Sequence, residues 1–208
     1  MANVNVARSE KREAVECWVE KHMGNVAHER RVLRIAGELL ELTAELHALS
    51  GAERHLLELG VLAHDVGRSV DDDRHPAIGA EMILEDEELP LSSAERRALA
   101  YLTRFHRGSV PELEEDGILQ AGDNHESLRR VLGFLRAADG LDSRWLGSPR
   151  LLMSLHRRTI QIHCYVEKDT PKIRRMFTRK KKFRLLEETL GCEVNVELAL
   201  SDGLRLVA

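Results

Sequence analysis

Apolar residues recur at helical spacing through the first two-thirds of the chain and alternate with polar ones only near its end. Over residues 25–49 they fall at Val32, Ile35, Ala36, Leu39, Leu40 and Leu46, with Thr43, which is the 3, 4, 7 spacing of one buried helical face. A shorter, polar-faced helix is expected before it, over residues 10–22. Ser50 with Glu53 has the spacing of a capping box and predicts a third helix over residues 53–65, with Gly67 as its stop. Pro76 suits the first turn of a fourth helix carrying Ile78, Met82 and Ile83. Ser92 with Glu95 predicts a fifth helix, ending near His106, and Asp123 with Glu126 a sixth, running through Val131, Leu132, Leu135 and Ala138. Between these two, residues 108–122 carry Pro111 and three glycines and read as a long loop or a broken short element.

The period changes after Asp142. Residues 151–155 and 159–166 form short runs, the second alternating β-branched and polar residues as a half-buried strand does. Residues 170–191 return to helical spacing, with Ile173, Phe177, Phe183, Leu186 and Leu190 apolar. Residues 192–200 alternate again. The expected fold is therefore mainly α. It is a helical bundle over residues 1–145 with a small C-terminal β-β-α-β unit over residues 146–208 packed on it.

A chain of 208 residues can bury a core without disulfides or a structural metal. At 43% hydrophobic and 32% charged residues it reads as globular rather than disordered. Aromatic residues are only 4%, which disfavours stacking on single strands, and the net charge of −4 gives no global case for nucleic acid or an anionic membrane. Cys17, Cys164 and Cys192 are far apart and form no CxxC pair, as expected of thiols in a reducing compartment. The first residues have no apolar core of a secretory signal, and no apolar run reaches the ~18 residues of a membrane span. A cytoplasmic location is expected.

The chemistry lies in a few histidines and aspartates embedded in apolar helices. In LGVLAHDVGR an apolar run leads directly into His64 and Asp65, so both side chains leave a packed helix at its end. His28 lies on the second helix and Asp139 near the end of the sixth, in LRAADGLD. Two imidazoles and two carboxylates suit a divalent ion such as Mn, Fe or Mg better than a closed structural zinc site, and they leave coordination positions open for water. Each residue alone is weak evidence. The order His, His-Asp, Asp is far more specific.

With these motifs, AHERRVLRIA, LAHDVGR and LRAADGLD, the chain resembles the HD-domain superfamily of metal-dependent phosphohydrolases. HPAIGAEMIL, YLTRFHRG and the trailing β-β-α-β unit extend the resemblance over residues 25–200. The likeness is to the C-terminal HD region of the exopolyphosphatase and guanosine pentaphosphate phosphatase family. In that family the hydrolytic site belongs to an N-terminal actin-like region with Gly-rich phosphate loops. Residues 1–24 hold no such loop, so the resemblance implies the HD-type bundle and its metal site rather than exopolyphosphatase activity.

It also implies catalytic roles for Asp65 and His64, metal ligation by His28, His64, Asp65 and Asp139, and a second ion held by His75 and His106 with Asp65 as bridge. Arg31, Arg68, Arg107 and Arg144 lie near the motifs, as does Arg104, and they are candidates to hold phosphate oxygens. The basic run RKKKFR at residues 179–184 reads first as a solvated helical face and second as an anion contact. His22, His47, His55, His125, His156 and His163 are expected to be structural or exposed.

Three functions remain open on these residues. One is a phosphohydrolase acting on a phosphorylated small molecule such as a nucleotide. Another is a metal-holding module that binds a nucleotide, polyphosphate or partner protein, and the third is a dimerisation unit stapled by metal. The expected partners are a phosphorylated small-molecule substrate and optionally a second copy of the chain, with no nucleic acid and no membrane.

Overall fold

The computed structural model describes residues 2–112 and 116–201. Six helices come first: α1 (Ala2–Met23), α2 (Ala27–Leu42), α3 (Gly51–Ala63), α4 (His75–Glu85), α5 (Ser93–Phe105) and α6 (His125–Gly140). They are followed by strands β1 (Arg150–His156) and β2 (Thr159–Val166), helices α7 (Pro171–Phe177) and α8 (Arg184–Leu190), and strand β3 (Glu193–Leu200). The fold is mainly helical with a small C-terminal sheet, as the hydrophobic period implies. Among the described residues, no helix is long and apolar enough to cross a membrane.

Local chemistry sets most element boundaries. The Ser50 and Ser92 hydroxyls accept from the Glu53 and Glu95 amides, and each glutamate accepts in return from the amide of its serine, so both expected capping boxes form. The sixth helix starts differently. Its cap is Asn124, which accepts from the Ser127 amide, while the Asp123 carboxylate is taken by Arg97 and by the Gln120 amide. A guanidinium that engages both oxygens of Asp123 outcompetes a neutral amide for that side chain, so the cap moves one residue on. Helix α2 ends at Leu42 rather than near Leu49, where the β-branched Thr43 turns its hydroxyl back onto the Leu39 carbonyl at 2.8 Å. The expected helix over residues 170–191 is broken into α7, a 3₁₀ turn at Lys180–Lys182, and α8. Thr178 and the basic run at residues 179–182 interrupt it, and the core residues Phe177 and Phe183 pin both sides of the break. The expected loop over residues 108–122 falls partly outside the described residues.

Helix α3 runs between two apolar clusters and contributes to both. Leu57 and Val61 join a cluster with Val32, Ile35, Leu39, Leu102 and Leu132, which continues through α6 onto α8 and the inner face of the sheet at Ile160, Ile162, Cys164 and Val194. Leu59, Leu62 and Ala63 join a second cluster with Val15, Val19, Ile83 and Leu99. A helix buried on both sides is firmly held, and the residues at its C-terminal end inherit that rigidity. In the sheet, β1 and β2 pair antiparallel through a turn in which Arg157 is left-handed (φ 56°), and β3 adds in parallel on the other side of β2.

The junction after α3 depends on close packing. Helix α3 stops at Ala63, ahead of Gly67, and Val66–Ser69 form a 3₁₀ turn against the start of α4. Gly67 is not the helix stop that the sequence suggests. A Cβ placed on it would lie 2.2 Å from the His75 carbonyl oxygen and 2.6 Å from the Gly79 nitrogen, so the missing side chain is what lets α4 dock. Backbone cannot rotate away as a side chain would. Gly67→Ala is therefore expected to lower the urea unfolding midpoint by the equivalent of about 1–3 kcal/mol. Gly37→Ala, on the open face of α2 with nothing within 4 Å of the added carbon, should instead raise it slightly.

Candidate metal centre

The packed end of α3 places His64 and Asp65 at the centre of the helical bundle, with His64 fully buried and Asp65 nearly so. Helix α2 brings His28 in its first turn, and α6 brings Asp139 in its last. Around them, His28 Nε2 lies 3.3 Å from His64 Nε2 and 3.5 Å from Asp139 Oδ1. Asp65 Oδ2 is 3.8 Å from His28 Nε2 and 3.7 Å from His64 Nε2. Donors held at ~2.1 Å from one ion are separated by about 3.0–3.4 Å at tetrahedral or octahedral corners, so these four side chains need little movement to share a cation.

The other oxygen of Asp65 faces a second group. Oδ1 is 3.1 Å from His75 Nε2 and 3.4 Å from His106 Nε2, and the two imidazole nitrogens are 3.2 Å apart. Two histidines and one carboxylate in this arrangement form the kind of open three-donor face used by divalent transition metals. His75 is carried by the first turn of α4 and His106 by the C-cap of α5, so Gly67, which lets α4 approach, also sets the position of His75. The six side chains form two clusters, His28–His64–Asp139 and Asp65–His75–His106, and either could hold a metal ion.

The tautomers make the case that these donors fit a cation. Nδ1 of His64, His75 and His106 lies 2.8, 2.6 and 2.7 Å from the carbonyl oxygens of Val61, Asp72 and Thr103. A carbonyl only accepts, so each Nδ1 must carry the proton and each neutral ring turns the lone pair of Nε2 toward its neighbours. His28 follows the same rule, its Nδ1 donating to Asp142 Oδ2 at 2.5 Å. Lone pairs that face one another at such distances need a proton or a metal between them. Asp65 Oδ1 is also a buried oxygen without a well-aligned hydrogen bond, open to a cation in the same place.

Protonation in the metal-free cluster follows burial and charge. Burial opposes a charge on His64, but Asp65 and Asp139 outweigh it and push the imidazole up to about 9. Burial lowers His106 to about 4, helped by the positive charge on His64, and burial likewise lowers His75. Burial favours the neutral form of both carboxyls as well. The His64 charge, with the His106 and His75 imidazoles beside Oδ1, overcomes it at Asp65, and His28, His64 and Lys182 do so at Asp139, so both lie well below the usual carboxylate range.

The predicted arginines divide into distinct roles. Arg144 donates from one nitrogen to Asp65 Oδ2 at 2.8 Å and to Glu29 Oε1 at 2.6 Å, and the Arg68 guanidinium lies 2.8 Å from Asp65 Oδ2. Arg31 grips both oxygens of Asp142 at 2.8 and 3.1 Å and so steadies His28 through that carboxylate. Arg107 stays on the surface beside His75, and Arg104 is exposed over the face of Phe105. The sequence motifs do not single out Glu29 or Asp142, and Lys182 enters there only as part of the basic run at residues 179–184. Glu29 is completely buried, with Oε2 unpartnered, within reach of His28 and Asp65. Its position directly after His28 was visible in the sequence; its burial was not. Asp142 lies three residues after Asp139, one helical turn on, and that spacing was the signal for it.

Residues 11–169 match the family model described as Ppx/GppA phosphatase, domain III, which is well over half of the chain. The chain belongs to the Ppx/GppA phosphatase family. The match begins within α1, earlier than the motifs suggest, and stops just after β2, so the remainder of the small C-terminal unit lies beyond it. No curated protein matches the sequence. The Ppx/GppA family is one of phosphohydrolases, and in this member of it all six candidate ligands converge at one end of α3.

Two outcomes follow for the site. In chelator-treated protein, His64 has a higher pKa folded (about 9) than unfolded (6.5), so its contribution is complete below pH 6.5 and is lost as pH rises to about 9. His106 and His75 have lowered values, so theirs is lost as pH falls below 6.5. Unfolding midpoints should therefore peak near pH 6.5, and His64→Gln should flatten the alkaline side. Asp142→Ala removes the acceptor that orients His28, and divalent-ion affinity measured by calorimetry should fall about 10–100-fold with the helical circular dichroism unchanged.

Proposed function

We propose that this chain is an HD-type, metal-dependent phosphohydrolase acting on a phosphate ester or anhydride of a small molecule such as a nucleotide. The observation that carries the reading is the sharing of Asp65: its two oxygens face two separate groups of imidazole nitrogens whose lone pairs converge. His28, His64, Asp139 and Asp65 would hold one divalent ion, and Asp65, His75 and His106 the other. The donor set of imidazole and carboxylate suits Mn, Fe or Mg. When bound, such ions supply a water acidified enough to attack phosphorus and positive charge for the phosphoryl oxygens.

The chain's own groups supply the rest. The carbonyls of Val61, Asp72 and Thr103 and the Asp142 carboxylate lock the imidazoles in one tautomer, so no ring reorganises during the reaction. Arg144 and Arg68 lie against Asp65 with part of their surface open to solvent, 24% and 14% of their side chains exposed, so they face both the cluster and incoming anions. A guanidinium there can bind two phosphoryl oxygens at once. The Oε1 atom of Glu29 holds Arg144 in that place.

The deciding measurements are elemental analysis and a hydrolysis screen of the full chain with Mn, Fe and Mg. Metal content near two per chain is expected, with turnover of aryl phosphates or nucleotides that disappears on chelation. Asp65→Ala should lose both ions and essentially all turnover while keeping the helical spectrum. The His75→Ala/His106→Ala pair should fall to one ion. Metal-loaded protein that hydrolyses no monoester, diester or nucleotide would overturn the catalytic reading in favour of a metal-holding binding module.

A further inference from the structure

The small C-terminal unit reaches Asp139 through the side chain of Lys182. Lys182 stands in the 3₁₀ turn between α7 and α8, and its Nζ lies 3.6 Å from Asp139 Oδ2, the carboxylate oxygen on the far side from His28 and His64. That distance is an ion pair without a hydrogen bond, so the ammonium protons remain available. Lys182 is 29% exposed and Asp139 only 6%, so the cation stands at the rim while its partner lies inside.

The placement is built rather than accidental. Phe183, the next residue, is 1% exposed in the core, and Leu186 on α8 packs so closely on α6 that a Cβ on Gly133 would lie 3.1 Å from the Leu186 backbone. The stem of Lys182 crosses Gly140, where a Cβ would meet its Cδ at 2.8 Å and its Cβ at 3.1 Å. Gly140 is the residue directly after Asp139, so the channel it leaves delivers the ammonium to that carboxylate. The surroundings also attract anions. Of residues 168–184, nine are basic and one is acidic, although the whole chain has a net charge of −4.

Building on the hydrolytic reading above, we propose that Lys182 is a substrate-binding residue, donating from Nζ to a non-bridging oxygen of the phosphoryl group at the Asp139 side of the centre. Arg144 and Arg68 lie against Asp65, so the phosphoryl group would be held by cations from both flanks, one of them contributed by the C-terminal unit. That unit is then part of the active centre and not an appendage to it.

The test uses the full chain loaded with Mn, inorganic phosphate as the binding probe, and an aryl phosphate for turnover. Lys182→Gln keeps a stem over Gly140 and removes the charge. Phosphate affinity should fall, and KM rise, about tenfold or more, the weight of a charge-assisted hydrogen bond, with Mn content unchanged. Lys182→Arg should recover much of the loss, and Lys181→Gln, one residue away and fully on the surface, should change nothing. Gly140→Ala should lower phosphate affinity in the same direction with Lys182 still present, because the added methyl displaces its stem.

Wild-type phosphate affinity in Lys182→Gln would overturn the assignment while leaving the hydrolytic reading intact. Loss of Mn from that variant would also overturn it, reducing Lys182 to a counter-charge for Asp139. Wild-type protein that binds Mn but neither binds phosphate nor turns over ester would overturn the assignment and the hydrolytic reading together.

Discussion

The structure turns on a single carboxylate that is shared. Asp65 sits where α3 ends, with one oxygen toward His28 and His64 and the other toward His75 and His106. A buried carboxylate with four imidazoles around it is tolerable only if positive charge sits among them. In the metal-free cluster that charge comes from a protonated His64 and from the guanidinium groups of Arg68 and Arg144. A divalent ion would supply the same charge from a different source. Helices α2 to α6, or the turns directly after them, deliver these groups, so the bundle is arranged around this electrostatic requirement as much as around its apolar faces.

Rigidity is what makes the arrangement usable. Helix α3 is buried on both sides, between the two apolar clusters, and cannot shift without disturbing both. Helix α4 docks by backbone contact on Gly67 in the turn that follows α3, and each of His64, His75 and His106 is oriented by a carbonyl three residues before it in its own segment. Donor atoms on such elements keep their spacing when a ligand enters, and the cost of organising the site is met during folding. The surface arginines and the Lys182 turn are less enclosed, which suits groups that must meet a diffusing anion.

Much of this was legible in the chain as letters. The 3, 4, 7 spacing of α2, the capping boxes at Ser50 and Ser92, and the alternation of β2 follow from local rules, because each element hides one face and satisfies its own ends. The break at Lys180–Lys182 was not legible, since an apolar spacing that continues from Phe177 to Phe183 hides it. Nor was the cap at Asn124, where Arg97, distant in sequence, takes Asp123. Local rules do not see a competitor supplied by another helix.

The candidate site divides along the same line. The sequence by itself determined which residues have metal-binding chemistry and that they sit at helix ends in apolar surroundings, because residue type and period are local properties. Only the tertiary structure decided how they group. Whether Asp65 faces two clusters or one, whether Arg31 reaches an incoming anion or Asp142, and whether a basic run is a solvated face or a contact with Asp139 all depend on the docking of distant segments. Those dockings are set by close packing at Gly67, Gly133 and Gly140, where the absence of a side chain, which has no period and no charge to read, fixes how near two backbones can come.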